Sequence, residues 1–326
     1  MAALAPAVAA VRNAVRRSLG AAEPRLDPGD VVLVACSGGA DSLALAVAAR
    51  FVTHRMRVRC GLVTVDHGLQ DGSADRAARL AGWAREREFA PVDVRSVTVS
   101  GPGGPEASAR DARYAALVAS AKAHRAALVL LGHTRDDQAE TVLLALTRGS
   151  GPRGLSGMPP QRAWHGVTFV RPLLDVSRAV TRLACEADGL TWWEDPHNSD
   201  PAYARSRLRP VVDALGERVV DNLARTARLV AADTEYLDEL AADALEKALD
   251  GPAALSVAEL ERLPGPVRTR VLHAWARRLG VPGGLLSHRH VAALDALVTD
   301  WHGQGPAALP GGVSIARSAG RLRHDH

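Results

Sequence analysis

The sequence of 326 residues is poor in cysteine, lysine and aromatic residues. No two of its three cysteines form a Cys-x-x-Cys pair. This spacing argues against a zinc ribbon, a thioredoxin-like redox site and a local pair of iron–sulfur ligands. A sparse, odd set of thiols is typical of a reducing compartment, so we expect a cytoplasmic protein. No apolar run reaches the roughly 18–20 residues that a membrane-spanning helix needs.

Charge of one sign is also not in large excess. Lysine occurs only twice, so arginine supplies 38 of the 40 basic residues, which face 36 acidic residues and leave a net charge of +4. This balance permits an anionic partner but does not require one. The apolar N-terminus lacks a leading basic cluster, which predicts a first helix over about Val8–Leu19 instead of a secretory signal.

The first part of the chain alternates apolar, β-branched runs with helical segments. We expect strands at Val31–Cys36, Val58–Asp66, Val92–Val99, Ala127–Gly132 and Val167–Pro172. We expect helices at about Ser42–His54, Ala74–Phe89, Glu106–His124, Arg135–Thr147 and Ser177–Asp188, and a loop at Gly149–Gln161. Repeated β–α–β units predict an α/β fold with a Rossmann-like, doubly wound parallel sheet.

The second part of the chain is predominantly helical. We predict a boundary near Leu215-Gly216, with a nucleotide-binding domain at residues 1–215 and a mainly helical domain at 216–326. Residues 233–261 carry nine acidic residues, which we expect to face solvent or the first domain, whereas residues 262–289 carry six arginines and no acid. The turn sequence Pro310-Gly311-Gly312 between short β-like runs predicts a hairpin.

A glycine-containing turn directly follows the first predicted strand and opens a helix: Ser37-Gly38-Gly39-Ala40-Asp41-Ser42. Adjacent glycines let the backbone approach a ligand closely, and the amides of the helix N-terminus can bind an anion. The turn lacks the lysine of a Walker A motif and the spacing of a dinucleotide fingerprint. A serine-capped structural turn is the alternative interpretation.

Polar residues cluster after two further strands. His67 and His133 each follow a strand end, where ligands of such sheets bind. Asp136, Asp137 and Glu140 lie in the first turns of one helix, and the last two share a face. These carboxylates are candidates for Mg²⁺ binding beside phosphates, for binding an ammonium group, or for capping the helix. Neither His67 nor His133 has a metal-ligand partner at suitable spacing, which argues against a zinc site there.

Five motifs in order resemble one family. After the glycine-containing turn come Val65-Asp66-His67-Gly68-Leu69, Glu106–Tyr114, Leu131–Thr141, Arg171-Pro172-Leu173-Leu174, and Trp193–Asp200 leading to Arg205–Arg209. The turn resembles the SGGxDS signature of PP-loop ATP pyrophosphatases, and the whole set resembles the tRNA(Ile)-lysidine synthases over about residues 31–209. One departure is Ser206, where many members have Asn. The length implies the short form of the family, without an additional C-terminal domain.

The resemblance implies an ATP-dependent ligase that joins lysine to the wobble cytidine of tRNA(Ile) with a CAU anticodon. It implies catalytic roles for Asp41, Asp137, Glu140 and Arg113, and Mg²⁺ binding by Asp41 and Asp137. ATP would contact Ser37, Gly38, Gly39, Ala40, Asp41, Ser42, Asp66, His67 and His133. Lysine would contact Asp136, Asp137 or Glu140. Candidates for tRNA binding are Arg110, Arg113, Arg171, Arg205, Arg209, Arg268, Arg270 and Arg277.

Two other interpretations stay open at this point. A different PP-loop enzyme, such as a tRNA thiolase or an amide-forming ligase, would share the turn, although no cysteine pair or glutaminase domain is present. A catalytically silent tRNA-binding protein is the second, against which the intact turn and Asp137 argue. The sequence leaves the oligomeric state open, with a homodimer among the alternatives.

Overall fold

The computed structural model describes residues 4–68, 72–98, 105–195, 204–251 and 253–325. The chain divides into two compact units, Met1–Val230 and Ala231–His326. This division lies later than the predicted 215/216 boundary, inside a continuous helix at Glu217–Ala248. Across the described ranges, no helix has both the length and the apolar character needed to cross a membrane.

The first unit contains a six-stranded sheet in the order β3-β2-β1-β4-β6-β5. Its strands are β1 Val31–Ala35, β2 Arg59–Asp66, β3 Val92–Ser96, β4 Leu128–Leu131, β5 Gln161–Trp164 and β6 Val167–Val170. All pair in parallel except β5, which pairs antiparallel with β6 at the edge. The sequence did not predict β5, because this short, partly exposed strand lacks an apolar run.

Helices cover both faces of this sheet, which confirms the doubly wound α/β prediction. They are α1 Pro6–Gly20, α2 Ala40–Arg55, α3 Ser73–Glu86, α4 Pro105–Ala123, α5 Arg135–Thr147, α6 Pro152–Leu155, α7 Arg178–Ala187, α8 Ala204–Leu215 and the start of α9 Glu217–Ala248. Val32 and Val34 of β1 pack in one core cluster with α1 and α2. Val31 and Leu33 pack in another with α4. Alternate side chains of β1 therefore serve opposite faces, and every residue of the strand is buried.

The second unit combines the end of α9 with α10 Val257–Glu261, α11 Gly265–Arg278 and α12 His288–Thr299. A four-stranded antiparallel sheet accompanies them in the order β7-β10-β9-β8. Its strands are β7 Ala254–Ser256, β8 Ala307–Ala308, β9 Ser314–Ser318 and β10 Arg321–Asp325. Pairing of β8 with β9 confirms the hairpin predicted around Pro310-Gly311-Gly312. Fully buried Trp275 of α11 belongs to the core of this unit.

Candidate active site

The turn between β1 and α2 presents an open helix N-terminus. Gly38 has φ +84°, a conformation that favours glycine, and Gly39 precedes the first turn of α2 without a side-chain cap. The buried Ser42 hydroxyl donates to the Gly39 carbonyl at 2.9 Å and accepts from the Ser37 amide at 3.2 Å. Ser42 therefore holds the shape of the turn, while the exposed Ser37 and the amides of α2 remain accessible to an anion.

The end of β4 closely approaches this turn. A Cβ added at Gly132 would lie 3.1 Å from Ser42 Cα and 3.2 Å from the Ser42 backbone nitrogen. A side chain at Gly132 would therefore press on the backbone at the start of α2, and glycine permits the close approach of the two segments. The contact brings the motif that begins at Leu131 next to the turn, as expected for neighbouring parallel strands.

A cavity of about 510 Å³ opens at the carboxyl ends of β1 and β2. The predicted residues Ser37, Gly38, Gly39, Asp66, His67 and Arg113 line it. Trp193 and Arg76 also line it and were not predicted as site residues. The Trp193 amide donates to the Gly38 carbonyl at 3.0 Å, and the Arg76 guanidinium lies 4.4 Å from the centre of the Trp193 ring. Trp193 could be found from its motif, whereas nothing in the sequence distinguishes Arg76 from other helix-surface arginines.

The surroundings of His67 and Asp66 in this cavity lower the pKa values of both side chains. Partial burial, together with the charge of Arg113, lowers the pKa of His67. Its Nδ1 is buried and has no hydrogen-bond partner among the described residues. The Gly68 amide donates to Asp66 Oδ1 at 3.0 Å and holds the pKa of that carboxyl below its usual value. The lowered pKa favours the neutral form of His67, which lines the cavity.

Three predicted carboxylates converge on one arginine that the sequence did not indicate. Arg178 Nη2 lies 3.1 Å from Asp137 Oδ1 and 3.0 Å from Glu140 Oε1. Its Nε lies 3.9 Å from Asp41 Oδ2. We call Asp41, Asp137 and Glu140 the carboxylate cluster. Arg209, a predicted residue, adds a second cation, with Nε 3.2 Å from Glu140 Oε1.

Burial and mutual repulsion give the carboxylate cluster uneven proton affinities. Burial and the charge of Asp137 raise the pKa of Asp41 to about 6, although Thr181 donates a hydrogen bond to it. The same two causes raise the pKa of Glu140, which is only 1% exposed. Burial acts on Asp137 too, but the charges of Arg178 and His133 and hydrogen bonds from Thr134 hold its pKa below the usual value. The cluster can therefore both carry negative charge and accept a proton near neutral pH.

Two of the acids at the start of α5 also have structural roles. The Thr134 amide donates to Asp137 Oδ2 at 2.7 Å in a capping box at the N-terminus of α5. The Arg178 amide donates to Asp136 Oδ2 at 2.8 Å, which ties α5 to the start of α7. Capping and charge pairing thus coexist in Asp137, whereas Asp136 anchors the backbone that positions Arg178.

Arg178 and Thr181 were missed because they lie in a helix without a recognised motif. A positional signal existed, since α7 follows β6 and its N-terminus lies near the carboxyl ends of the strands. That position alone does not single out Arg178, because its charge partners lie about 40 residues or more away in sequence. Their convergence depends on the tertiary fold.

Several predicted residues lie elsewhere. Arg171, predicted to contact tRNA, is 3% exposed, and its Nη1 donates to the Pro159 carbonyl at 2.8 Å, so the structure gives it a packing role instead. His133 is not among the residues lining the cavity and interacts electrostatically with Asp137. The Arg110 guanidinium lies 5.1 Å from the centre of the Tyr114 ring. The side chain of Arg205 and residues 69 and 196–203 of the motifs lie outside the described residues.

Most arginines of α11, a helix predicted to offer arginines to tRNA, form ion pairs within the protein. Arg268 Nε lies 2.6 Å from Asp295 Oδ1, and Arg270 Nε lies 2.9 Å from Asp238 Oδ1. Arg278 pairs with Glu246 at 2.9 Å. The acidic residues of α9 therefore neutralise part of α11 rather than facing only solvent. Arg277 is exposed and makes no ion pair within the described part of the chain.

The structure offers no self-sufficient metal centre. The described residues contain no group of three or more His, Cys, Asp or Glu side chains arranged to hold a metal ion. The three cysteines are free and buried.

Comparisons with known proteins agree with this architecture. A PP-loop domain family matches residues 11–215, and the TilS substrate binding domain family matches residues 255–323. A tRNA(Ile)-lysidine synthase from Salinispora tropica is 61% identical and covers 99% of this chain and 97% of its own. Relatives of the same name from Thermobifida fusca and Streptomyces coelicolor are 51% and 50% identical, and each covers 97% of both chains.

A solved structure has a similar fold over most of this chain. The U34-tRNA thiolase NcsA from Methanococcus maripaludis superposes with a TM-score of 0.56 at 18% sequence identity, covering 70% of this chain and 79% of its own. At this identity the likeness concerns the fold alone. The full-length relatives and the two matching domain families decide the assignment: the chain belongs to the tRNA(Ile)-lysidine synthase family.

Proposed function

We propose that this chain ligates lysine to C2 of the wobble cytidine in tRNA(Ile) with a CAU anticodon, using ATP and releasing AMP and diphosphate. The product, lysidine, changes codon reading from AUG to AUA. One observation carries the proposal: in this family member, the uncapped N-terminus of α2 lies next to the carboxylate cluster, whose member Asp41 is in the first turn of that helix. One part suits a phosphate chain, and the other suits an amine.

In the first step, O2 of the cytidine attacks the α-phosphorus of ATP, and the bond to diphosphate breaks. The amides of Gly39, Ala40 and the first turn of α2 would bind the phosphates, and Arg113 would neutralise charge that develops in the cavity. The adenylate turns the carbonyl oxygen, a poor leaving group, into a good one. Positioning and charge neutralisation therefore account for most of the catalysis.

In the second step, the ε-amine of lysine attacks C2, and the bond between C2 and the adenylated oxygen breaks to release AMP. The amine must lose a proton, and a carboxylate with a raised pKa is a suitable acceptor. Asp41 and Glu140 meet this requirement because burial raises the pKa of both. Before reaction, the lysine ammonium would interact with Glu140 or Asp137 in competition with Arg178.

The donor set fits Mg²⁺ as a companion of ATP. Mg²⁺ in nucleotide sites commonly uses one or two carboxylates, with phosphate oxygens and water filling the remaining positions. Asp41 and Asp137 would hold it, and it would supply positive charge to the phosphates. Arg178 contacts both carboxylates, so it would share the neutralisation of their charge with the metal.

The second unit and the arginines of the first unit would hold the tRNA. Arg113, Arg209 and exposed Arg277 are the cationic groups that remain best placed for phosphate contacts. We place the reaction in the cytoplasm, where ATP, lysine and tRNA meet. A homodimer stays a prediction.

The test uses the purified chain with radiolabelled lysine, ATP and a tRNA(Ile) transcript carrying CAU. We expect lysine incorporation with one AMP and one diphosphate released per lysine, and none into a transcript whose wobble cytidine is replaced by uridine. AMP release without lysine incorporation would favour a different PP-loop ligase. Binding of tRNA without AMP release would favour the silent binding protein.

A further inference from the structure

A second cavity, of about 720 Å³, lies in the first unit at the end of the sheet opposite the one that carries the PP-loop turn. The end of α2, the start of β2 and the segment between α3 and β3 form its wall, so it lies at the amino ends of parallel strands. Five arginines line it and a single acid accompanies them: Arg12, Arg50, Arg55, Arg59, Arg87 and Glu88. Its charge is therefore strongly positive.

Most of this positive charge has no internal compensation. Glu88 forms an ion pair with Arg50. Arg59 Nε donates to the Gly29 carbonyl at 3.1 Å, a neutral acceptor. Arg12 and Arg55 lie over the same ring, with their guanidinium carbons 3.8 Å and 4.1 Å from the centre of Phe51. Within the described residues, none of Arg12, Arg55, Arg59 and Arg87 makes an ion pair with an acid, and Arg12 Nε is buried without a hydrogen-bond partner.

Local helix electrostatics explain only part of this arrangement. The C-terminus of α2 favours cations such as Arg55 in its last turn. Arg12 comes from α1, Arg59 from β2 and Arg87 from the end of α3, so their convergence needs another cause. Contact with aromatic rings, Phe51 for Arg12 and Arg55 and Trp83 for Arg87, restrains these guanidinium groups, which reduces the entropy lost when they bind a ligand. The volume lies within the range of small-ligand sites, roughly 300–1,000 Å³.

We propose that this cavity is a second anion-binding site, separate from the PP-loop turn, which takes a phosphate-bearing ligand. Arginine binds phosphate through two parallel hydrogen bonds, and several arginines in one cavity suit a ligand with more than one negative charge. Such a group belongs either to the sugar–phosphate backbone of a tRNA or to a free small molecule such as diphosphate. The proposal does not depend on lysine transfer and can fail or succeed without it.

The first experiment reads each arginine separately in the native full-length chain. Phenylglyoxal modifies accessible arginines, and peptide mass spectrometry measures the rate at each residue with sodium diphosphate, with a tRNA transcript, or with neither. We expect at least fivefold protection of Arg55, Arg59 and Arg87, and none at the exposed controls Arg17 and Arg25. Protection by diphosphate would identify the ligand as a free small molecule, and protection by tRNA alone would identify it as the sugar–phosphate backbone. Protection by neither, or equal protection of the controls, overturns the proposal.

The second experiment compares two double variants of equal charge. R55Q/R87Q removes two cavity arginines, and R17Q/R25Q removes two arginines outside the cavity. We expect the protecting ligand to bind R55Q/R87Q at least tenfold more weakly and R17Q/R25Q within twofold of the native chain. If both double variants bound the ligand equally weakly, net charge would explain the effect, and the proposed site would be contradicted. The site-resolved protection of the native chain decides the matter if R55Q/R87Q fails to fold.

Discussion

The two units differ in one respect: both contain one-to-one pairs of arginine and acid, such as Arg50 with Glu88 in the first unit, but one arginine of the first unit faces three carboxylates. The described ion pairs of the second unit each join one arginine to one acid, as in Arg268 with Asp295, Arg270 with Asp238, and Arg278 with Glu246. In the first unit a single arginine, Arg178, lies within 4 Å of three carboxylates. One-to-one pairs stabilise a scaffold modestly, whereas an excess of acids around one cation leaves negative charge for a ligand to balance.

This contrast explains why a strong charge pattern misleads when read alone. The arginines of α11 lie in a stretch of sequence, residues 262–289, that contains no acid, but acids from α9 and α12 pair with three of them. The members of the carboxylate cluster are candidates from the sequence too, but only the fold shows that all three share Arg178. Unequal numbers of opposite charges in a buried place are thus a better sign of a functional site than a run of like charges.

The largest effect should follow from removing a charge of the carboxylate cluster. For Asp41→Asn we expect lysine transfer to fall by about 10²–10⁴-fold, because the site loses an acceptor for the proton and a ligand for the metal. Asp238→Asn is the matched control, since it breaks a one-to-one pair with the same chemical change, and it should transfer lysine within about twofold of the native rate. Equal activity in both variants would remove the distinction between the units.

Removing the shared cation should cost more stability than removing a scaffold cation. Arg178→Met leaves Glu140, which is 1% exposed, with only Arg209 and brings buried carboxylates into repulsion. We expect the free energy of unfolding at pH 7 to fall by about 3 kcal/mol. Arg278→Met breaks a solvent-exposed pair and should lower it by about 0.5 kcal/mol or less. Urea unfolding of the two variants measures the difference, and similar losses would contradict the argument.

The same Asp41→Asn change should raise stability at neutral pH. The folded-state pKa of Asp41 is about 6, above the ordinary 3.8, so its ionised form is disfavoured by folding. That cost is complete above pH 6 and disappears below about pH 4, where the group is protonated in both states. We expect the variant to be about 2 kcal/mol more stable than the native chain at pH 7.5, with the gap closing by pH 4.

Unfolding curves of the native chain and Asp41→Asn across this pH range test the sign. Asp238→Asn should show no such gain, because its carboxylate has a cation of its own at 2.9 Å. The opposite result would be that Asp41→Asn is less stable than the native chain at pH 7.5 and that this difference disappears by pH 4. In that case the ionised carboxylate would stabilise the fold as a partner of Arg178. The two units would then use their acids alike.

The smallest effect concerns tRNA affinity. Arg277→Gln should weaken tRNA binding by about threefold and reduce the slope of log affinity against log salt by about one, as expected for one lost phosphate contact. Arg278→Gln alters a neighbouring residue that already pairs with Glu246 and should leave the slope unchanged. Filter binding at several salt concentrations separates the two. An unchanged slope in Arg277→Gln would place the tRNA contacts away from α11.

Local patterns were sufficient to predict much of the first unit. The predicted parallel strands correspond to β1, β2, β3, β4 and β6, and α5 has the predicted bounds Arg135–Thr147. Apolar runs of β-branched residues and helix-start residues are local features, and they follow from burial on both faces and from capping. The PP-loop turn and its position before α2 were predictable for the same reason.

What escaped prediction depends on contacts between distant segments. Arg171 resembles a surface cation in sequence, but it is buried and its guanidinium donates to the Pro159 carbonyl. Arg270 meets Asp238 across 32 residues, and Arg178 meets Glu140 across 38. An arginine in a sequence carries no sign of whether an acid, a carbonyl or solvent will face it. The partner is set only when the sheet and its helices are assembled.

The outer strands of the first sheet have a practical consequence for handling this protein. Unpaired backbone groups at a sheet edge invite other strands to add, and charged residues on the edge oppose this. Edge strand β3 carries Asp93 and Arg95, and β5, at the other edge, is only four residues long and carries Arg162. Concentrated solutions should therefore resist strand-to-strand aggregation, and replacing Arg95 and Arg162 with valine would make the native chain prone to it.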